Sequence, residues 1–243
     1  MEISFAAEKL GYLGPLPITN ALITSLLTST LLVFFALYVR RYIAIVPSRL
    51  QNVTELVIDG FYTLNVQLAG KRAAFIFPWF ATFFLFIIVA NWLGLLPGFG
   101  TVGFFKETTH HFVPLLRSVN SDLNTTLALA LISLVLTHFF SIRTIGMREY
   151  VSRFFSANPI NLFVGLLELI SEFTKIASLS FRLFGNIFAG EALLITISSL
   201  FAFVVPLPFM VLEVIVGFVQ ALIFSMLTLV FMVILSTSHK ASH

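Results

Sequence analysis

Five long stretches of this chain carry no charged residue, and they constrain the fold more than any other feature of the sequence. They cover Leu10–Val39, Ala73–Phe105, Leu123–Ile142, Ala192–Leu212 and Val214–Ser238. A helix needs about 20 apolar residues to cross a bilayer, and each stretch is long enough. Only 10% of the 243 residues are charged and 58% are hydrophobic, which leaves too little polar surface for a globule in water. The sequence therefore predicts an integral membrane protein and excludes a soluble enzyme.

The expected fold is all-α, with about five transmembrane helices and one amphipathic helix on the membrane surface. We expect residues 1–243 to form a single membrane domain, with spans over about 18–39, 76–96, 122–142, 165–200 and 208–236. The surface helix is predicted over residues 53–68, where apolar residues recur on one helical face. The last two spans are expected to be antiparallel neighbours.

The distribution of basic residues predicts the orientation. The loops after the first and third spans hold Arg40, Arg41, Arg49, Lys71, Arg72, Arg143, Arg148 and Arg153, whereas the N-terminus and the loop after the second span hold Lys9, Lys106 and Arg117. Such an excess marks the cytoplasmic side of a membrane protein. We therefore expect the N-terminus outside and the C-terminus inside.

Arg182 is the charged residue that most needs an explanation, because it lies in a predicted span with no acid one helical turn away. A charge at membrane depth costs about 2.5–3.5 kcal/mol on insertion scales and is by default a candidate functional site. The guanidinium is permanently charged, so it can attract a carboxylate and repel a proton. The alternative is a structural ion pair with Glu191 or Glu213.

Two further polar positions lie at helical spacing from Arg182. Ser178 precedes it by four residues and Asn186 follows it by four, so both lie on its helical face. Gly185, Ala189 and Gly190 have little bulk and permit another helix to approach closely. Around an isolated arginine, these small residues suggest that a moving partner passes nearby.

Two groups of polar residues flank Arg182 along the chain. Glu168, Glu172 and Lys175 have i, i+3 and i+4 spacing near the inner end of the fourth span, where we favour a salt-bridge cluster over direct proton transfer.

The second group lies on the outer side. If the last two spans are antiparallel, Arg182 is level with Gln220, and Glu191 is level with Glu213 nearer the outside. Two carboxylates that share a site repel each other, and such a pair can take up a proton from outside and pass it inward.

Four motifs together identify a family resemblance. They are SFRLFGNIFAGE from Ser180 to Glu191, QALIF from Gln220 to Phe224, NWLGLLPG from Asn91 to Gly98, and DLNTT from Asp122 to Thr126. This set closely resembles subunit a of the F-type ATP synthase, and the similarity extends from about Pro47 to the C-terminus.

The resemblance implies a partner and a set of residue roles. In that family the subunit lies against a rotating ring of c subunits, and two offset half-channels carry protons to and from the ring carboxylates. The resemblance also implies long, tilted fourth and fifth spans. By similarity, Arg182 is the essential arginine that faces the ring carboxylate. By the same similarity, Glu191 and Glu213 lie in the outer half-channel, and Gln220 lies near the arginine. Asn186 and Ser178 match polar positions near the ring. Glu168 and Lys175 match accessory polar positions, and we place Glu172 in the same accessory group. Many bacterial members have histidine where this chain has Glu213.

The same resemblance implies an assembly rather than an enzyme acting alone. The expected partners are the c-ring, b-type peripheral stalk subunits and the rest of the ATP synthase, in what we expect to be a bacterial plasma membrane. The sequence has no GxxxxGK[ST] motif, so nucleotide chemistry is expected elsewhere in the complex, and we expect no cofactor and no nucleic-acid partner. No metal is assigned to His110, His111 or His138.

Two other functions compete with this interpretation. A stand-alone ion-coupled transporter would use Arg182 to bind an anionic substrate, and a structural scaffold would use the buried charges for helix packing.

Overall fold

The chain is folded almost entirely into helices. The computed structural model describes residues 8–96, 102–105, 112–155, 159–201 and 204–237, and Lys106, His110 and His111 lie outside this part. The α-helices within it are α1 (Asn20–Arg41), α2 (Arg49–Ala69), α3 (Ala73–Gly94), α4 (Leu123–Ile145), α5 (Met147–Phe154), α6 (Pro159–Leu200) and α7 (Pro206–Leu235). Gly70–Arg72 and Val119–Ser121 form 3₁₀ turns.

Polar side chains fix where several of these helices begin. The Leu22 amide donates to the Thr19 hydroxyl at the start of α1, and the Gln51 amide donates to the Ser48 hydroxyl at the start of α2. Each bond satisfies a backbone N–H that has no partner within its helix. Pro206 begins α7. Proline has no N–H, but the first N–H of a helix has no partner within the helix, so no hydrogen bond is lost at this position.

The apolar core lies between α3, α4, α6 and α7. Its largest fully buried side chains include Ile76 and Phe80 of α3, Leu183 of α6, and Leu229 and Met232 of α7. Many large apolar side chains are exposed on the outside of the bundle, as expected for a surface that faces lipid. In the described part of the chain, five helical segments are long and apolar enough to cross a membrane, with α2 and α3 counted as one. The protein is therefore an all-α integral membrane protein, as the sequence predicts.

The bundle has two ends, which we name by their contents. The hairpin end carries two small antiparallel hairpins, β1 (Lys9–Leu13) with β2 (Leu16–Thr19) and β3 (Gly103–Phe105) with β4 (Phe112–Pro114). The basic end carries α5. There the Arg72 guanidinium donates to the Ser236 carbonyl and hydroxyl at 3.0 and 2.7 Å, which joins the start of α3 to the end of α7.

Several boundaries differ from the sequence expectation. Residues 18 and 19 belong to β2 rather than to the first span, and Gly14 supplies the positive φ of 63° that the two-residue β1–β2 turn requires. The helix expected over 165–200 begins six residues earlier and runs for 42 residues. Its first residue is Pro159, and proline suits the start of a helix because it has no N–H to leave unpaired. The surface helix expected over 53–68 begins four residues earlier, at Arg49.

Candidate functional site

One face of α6 is exposed along its middle, and it carries Arg182. Ser178, Arg182, Asn186, Ala189 and Leu193 are exposed at helical spacing, and we call these five residues the α6 stripe. The opposite face packs into the core through Leu179, Leu183 and Ile187. Apart from Arg182, the middle of the stripe has only the small or medium side chains of Ser178, Asn186 and Ala189, so a neighbouring helix can approach the α6 backbone closely.

Arg182 has one polar contact, and it is within the stripe. Its Nη2 donates to the Ser178 hydroxyl at 3.2 Å. In the described ranges Arg182 forms no ion pair, so the structure does not provide the structural pairing with Glu191 or Glu213 that the sequence left open. The guanidinium is thus a fixed positive charge that is open to a partner from outside this chain.

The two glycines near Arg182 have different surroundings. A Cβ at Gly185 would meet no atom within 4 Å, so the lack of a side chain at this position leaves open space beside the stripe. A Cβ at Gly190 would overlap the carboxylate of Glu213 on α7. Gly190 therefore allows α6 and α7 to enclose that carboxylate, and this contact puts Glu213 beside the helical turn that bears Glu191.

The polar residues on the hairpin side of Arg182 are buried or partly buried and have no hydrogen-bond partner within the described residues. We call Glu191, Glu213 and Gln220 the hairpin-side cluster. Glu213 is 6% exposed and Gln220 is 8% exposed, while Glu191 has a buried Oε2 that accepts no hydrogen bond. Buried polar atoms are costly unless a partner or water satisfies them. This cluster therefore has the chemistry of a site that holds water or exchanges protons.

The structure adds two asparagines that the sequence interpretation did not assign to the site. Asn120 Nδ2 donates to Asn91 Oδ1 at 2.7 Å, and Asn91 Nδ2 donates to the Gly217 carbonyl at 3.1 Å. Gly217 lies on α7 between Glu213 and Gln220, so a buried polar chain runs from the hairpin end to the cluster. The only sign of this role in the sequence is that Asn91 is a polar residue near the end of an apolar span. A residue in that position can equally well serve helix packing, so the sequence did not single it out.

The polar residues on the other side of Arg182 form ion pairs, one with α5 and one within α6. Glu168 Oε1 accepts from Arg153 of α5 at 2.6 Å. Glu172 Oε1 accepts from Lys175 Nζ at 2.7 Å, and its Oε2 lies 3.8 Å from Nε2 of His138 on α4. We call these five residues the basic-side cluster. Glu168 thus finds its ion-pair partner on another helix rather than on its own.

Lys175 is held from a further direction. Its ammonium lies 4.7 Å from the centre of the Phe231 ring on α7, within the range of a cation–π contact. The basic-side cluster thus joins α4, α5, α6 and α7 near one end of the bundle.

Fold and site together define the class of protein. It is a helical membrane protein with several spans, in which Arg182, without an ion pair in the described residues, lies on an exposed helix face between an unpaired and a paired polar cluster.

The comparisons with known proteins place the chain within that class. The family model described as the ATP synthase A chain matches residues 22–233. The ATP synthase subunit a of Moorella thermoacetica is 31% identical over 90% of this chain and 92% of its own length. The subunits a of Geotalea daltonii and Legionella pneumophila are 32% and 30% identical over 87% and 95% of this chain, and 85% and 92% of their own lengths. The chain belongs to the ATP synthase A chain family and is a component of the membrane sector of the F-type ATP synthase.

Proposed function

We propose that this chain is the stator subunit against which a ring of c subunits rotates, and that the α6 stripe faces the ring. The observation that carries the proposal is the state of Arg182, which is exposed and has no ion-pair partner in the described part of the chain. A permanent cation within a membrane-spanning helix needs a compensating group. A carboxylate on a passing ring helix supplies one, and Gly185 and Ala189 leave room for that helix.

The electrostatics of such a contact drive proton exchange. A ring carboxylate opposite Arg182 is stabilised in its ionised form and releases its proton, whereas a ring carboxylate that faces lipid is stabilised in its neutral form. The membrane potential contributes about 2.3 kcal/mol per charge per 100 mV, so protons that cross in one direction bias rotation. The fixed charge of Arg182 also repels a proton that would pass straight from one side to the other.

The hairpin-side cluster is proposed as the outer half-channel. Glu191 and Glu213 exchange protons there, Gln220 lies nearer to Arg182, and Asn91 and Asn120 extend the polar path towards the hairpin end. The buried state of Glu213 and Gln220, which have no hydrogen-bond partner within the described residues, supports this role, as does the unpaired Oε2 of Glu191, because water or a proton can satisfy these groups. Asn186 and Ser178 are proposed to line the ring interface.

The orientation follows from the excess of basic residues at the basic end, which we propose is cytoplasmic. The N-terminus is then outside and the C-terminus inside. We propose a bacterial plasma membrane as the location, one membrane domain as the organisation, and b-type peripheral stalk subunits as further partners.

The experiment that tests this function replaces Arg182 in the assembled complex. Arg182→Ala is expected to abolish ATP-driven proton pumping in inverted membrane vesicles while the complex still assembles. Arg40→Ala is the control, because Arg40 is also exposed but lies in the last turn of α1. Normal pumping by Arg182→Ala would contradict the proposal. Transport of an anion by the isolated chain in liposomes would instead favour a stand-alone transporter.

A further inference from the structure

Glu172 is a buried acid that the exchange at Arg182 does not use. It is 5% exposed and points from α6 into the bundle, away from the α6 stripe. Lys175 Nζ donates to its Oε1 at 2.7 Å, while its Oε2 is buried and accepts no hydrogen bond. Lys175 neutralises Glu172 from one side only, which leaves one carboxylate oxygen available for a proton.

The free oxygen of Glu172 faces a histidine on another helix. His138 Nε2 of α4 lies 3.8 Å from Glu172 Oε2, a distance that a small rotation of the carboxylate or one bridging water closes. A cavity of about 10 Å³ adjoins Glu172 and Lys175 and is lined also by Ser133 and Thr137. That volume is about what a single water requires.

The second nitrogen of the same imidazole is bonded to a tyrosine near the surface. His138 Nδ1 lies 2.9 Å from the Tyr150 hydroxyl, and either atom can donate depending on the tautomer. Tyr150 is half-buried on α5, next to the exposed Arg148. Burial raises the pKa of the Tyr150 phenol, and the charge of Glu172 adds to that effect. The hydroxyl therefore keeps its proton at physiological pH.

The other charges around this chain of groups come from α5 and α6. The Arg153–Glu168 ion pair lies on the α5 side, and the Lys175 ammonium lies on the α6 side. These charges compensate one another in pairs and leave the imidazole as the group between Glu172 and Tyr150 that can exchange a proton on both sides.

We propose that Glu172, His138 and Tyr150 form a proton relay between the inner end of the α6 stripe and the surface at α5. When protons leave, the Glu172 carboxylic acid transfers its proton to His138 Nε2. His138 then releases its Nδ1 proton to the Tyr150 oxygen as Tyr150 gives its own proton to water. One proton leaves Glu172 and one reaches water. Exchange with water, in which the imidazole takes up a proton at Nδ1 and loses one from Nε2, then resets the tautomer without net transfer. The steps run in reverse when ATP hydrolysis drives pumping.

Lys175 connects the relay to the stripe. It lies seven residues before Arg182, two helical turns along the same face, and it holds the Glu172 carboxylate from that side. Lys175 is thus a positioning residue, and the relay proper consists of the three groups that exchange the proton.

The test compares ATP-driven pumping by the assembled complex in inverted vesicles with His138 present or replaced. His138→Gln keeps a hydrogen-bonding side chain of similar size but cannot carry a proton. Its pumping rate is expected to fall on the order of 10-fold, below the 10²-fold often lost with a proton-transfer group, because water substitutes in part. His138→Ala removes the ring and leaves space for it, so added imidazole is expected to restore much of the rate of this second variant. Tyr150→Phe is expected to show a smaller fall.

The matched control is Thr144→Val, six residues away on α4. Its hydroxyl bonds to the Phe140 carbonyl of its own helix, and Thr144 is exposed and does not line the cavity. This variant is expected to pump normally and not to respond to imidazole.

The relay rests on the proposed function, but the two fail in different ways. If the wild-type complex pumps and Arg182→Ala abolishes pumping, while His138→Gln pumps at the wild-type rate, the relay is wrong and the function stands. A slow His138→Ala complex that imidazole does not restore would also overturn the relay, because it would show a purely structural role.

Discussion

The two polar clusters beside Arg182 are both rich in ionisable residues but differ in how they are satisfied. In the basic-side cluster, Glu168 and Glu172 each have a cationic partner at 2.6–2.7 Å. In the hairpin-side cluster, Glu213 is as well buried as Glu172, yet it has neither an ion pair nor a hydrogen bond within the described residues. Burial therefore does not distinguish the clusters, whereas pairing does. Ion pairs hold the basic-side cluster and leave one oxygen of Glu172 without a partner, whereas the hairpin-side cluster has no ion pair within the described residues.

The largest effect is expected where α5 packs against α6, the two helices that the Arg153–Glu168 ion pair of the basic-side cluster joins. A Cβ at Gly165 would overlap the backbone of Phe154, which cannot move without displacing α5. Gly165→Ala is therefore expected to cost about 2–3 kcal/mol of stability, at the upper end for overpacking. The thermal stability of the purified complex measures this.

Gly190→Ala is the matched control for that variant, because its Cβ would meet the flexible Glu213 side chain rather than backbone. It is expected to preserve thermal stability and to alter pumping instead. If Gly165→Ala and Gly190→Ala lowered the thermal stability equally, the packing around Glu213 would be as rigid as the contact between α5 and α6, and the contrast between the two clusters would be wrong.

The second prediction concerns the two acids of the hairpin-side cluster. Glu191→Gln and Glu213→Gln remove proton exchange without breaking an ion pair, so each is expected to slow pumping on the order of 10-fold and to move its pH dependence. Assembly should remain normal. Initial pumping rates over a range of pH provide the measurement, and unchanged rates and pH profiles in both variants would rule out the outer half-channel.

The third prediction tests the paired side. Glu168→Gln removes the partner of Arg153 and is expected to cost about 1 kcal/mol, since both side chains are partly exposed. Arg153 also donates to the Leu235 carbonyl at 3.2 Å, so it keeps part of its role. The melting temperature of the complex should fall, while the pumping rate per assembled complex stays normal. A loss of pumping at full stability would mean that Glu168 itself transfers protons.

The smallest expected effect concerns a hydroxyl pair between α4 and α7. Ser133 and Thr228 share a hydrogen bond of 2.8 Å. Ser133→Ala should cost about 0.6 kcal/mol, the average for such bonds between membrane helices. A cost as large as that of Glu168→Gln would show that neutral contacts stabilise the bundle as strongly as the ion pairs do.

The sequence predicted the helices well because length and absence of charge are sufficient to identify a span. It also placed Ser178, Arg182 and Asn186 on one face, because that inference needs only helical spacing. It did not predict α5 or the two hairpins, which are short and lack a long apolar run. It could not assign Arg153 to Glu168 or His138 to Glu172, because those contacts join separate helices and depend on tertiary packing.

Cysteine cross-linking tests the central claim, that the α6 stripe faces a rotating ring, most directly. The chain has no native cysteine, so Ser178→Cys and Asn186→Cys each introduce one reactive position on the stripe. Each is paired with a cysteine placed beside the carboxylate of the c subunit, and Thr30→Cys on the exposed surface of α1 is the control. Cross-links are expected from both stripe positions, with loss of ATP-driven rotation, and none from Thr30→Cys. Cross-links from α1 and none from the stripe would contradict this claim.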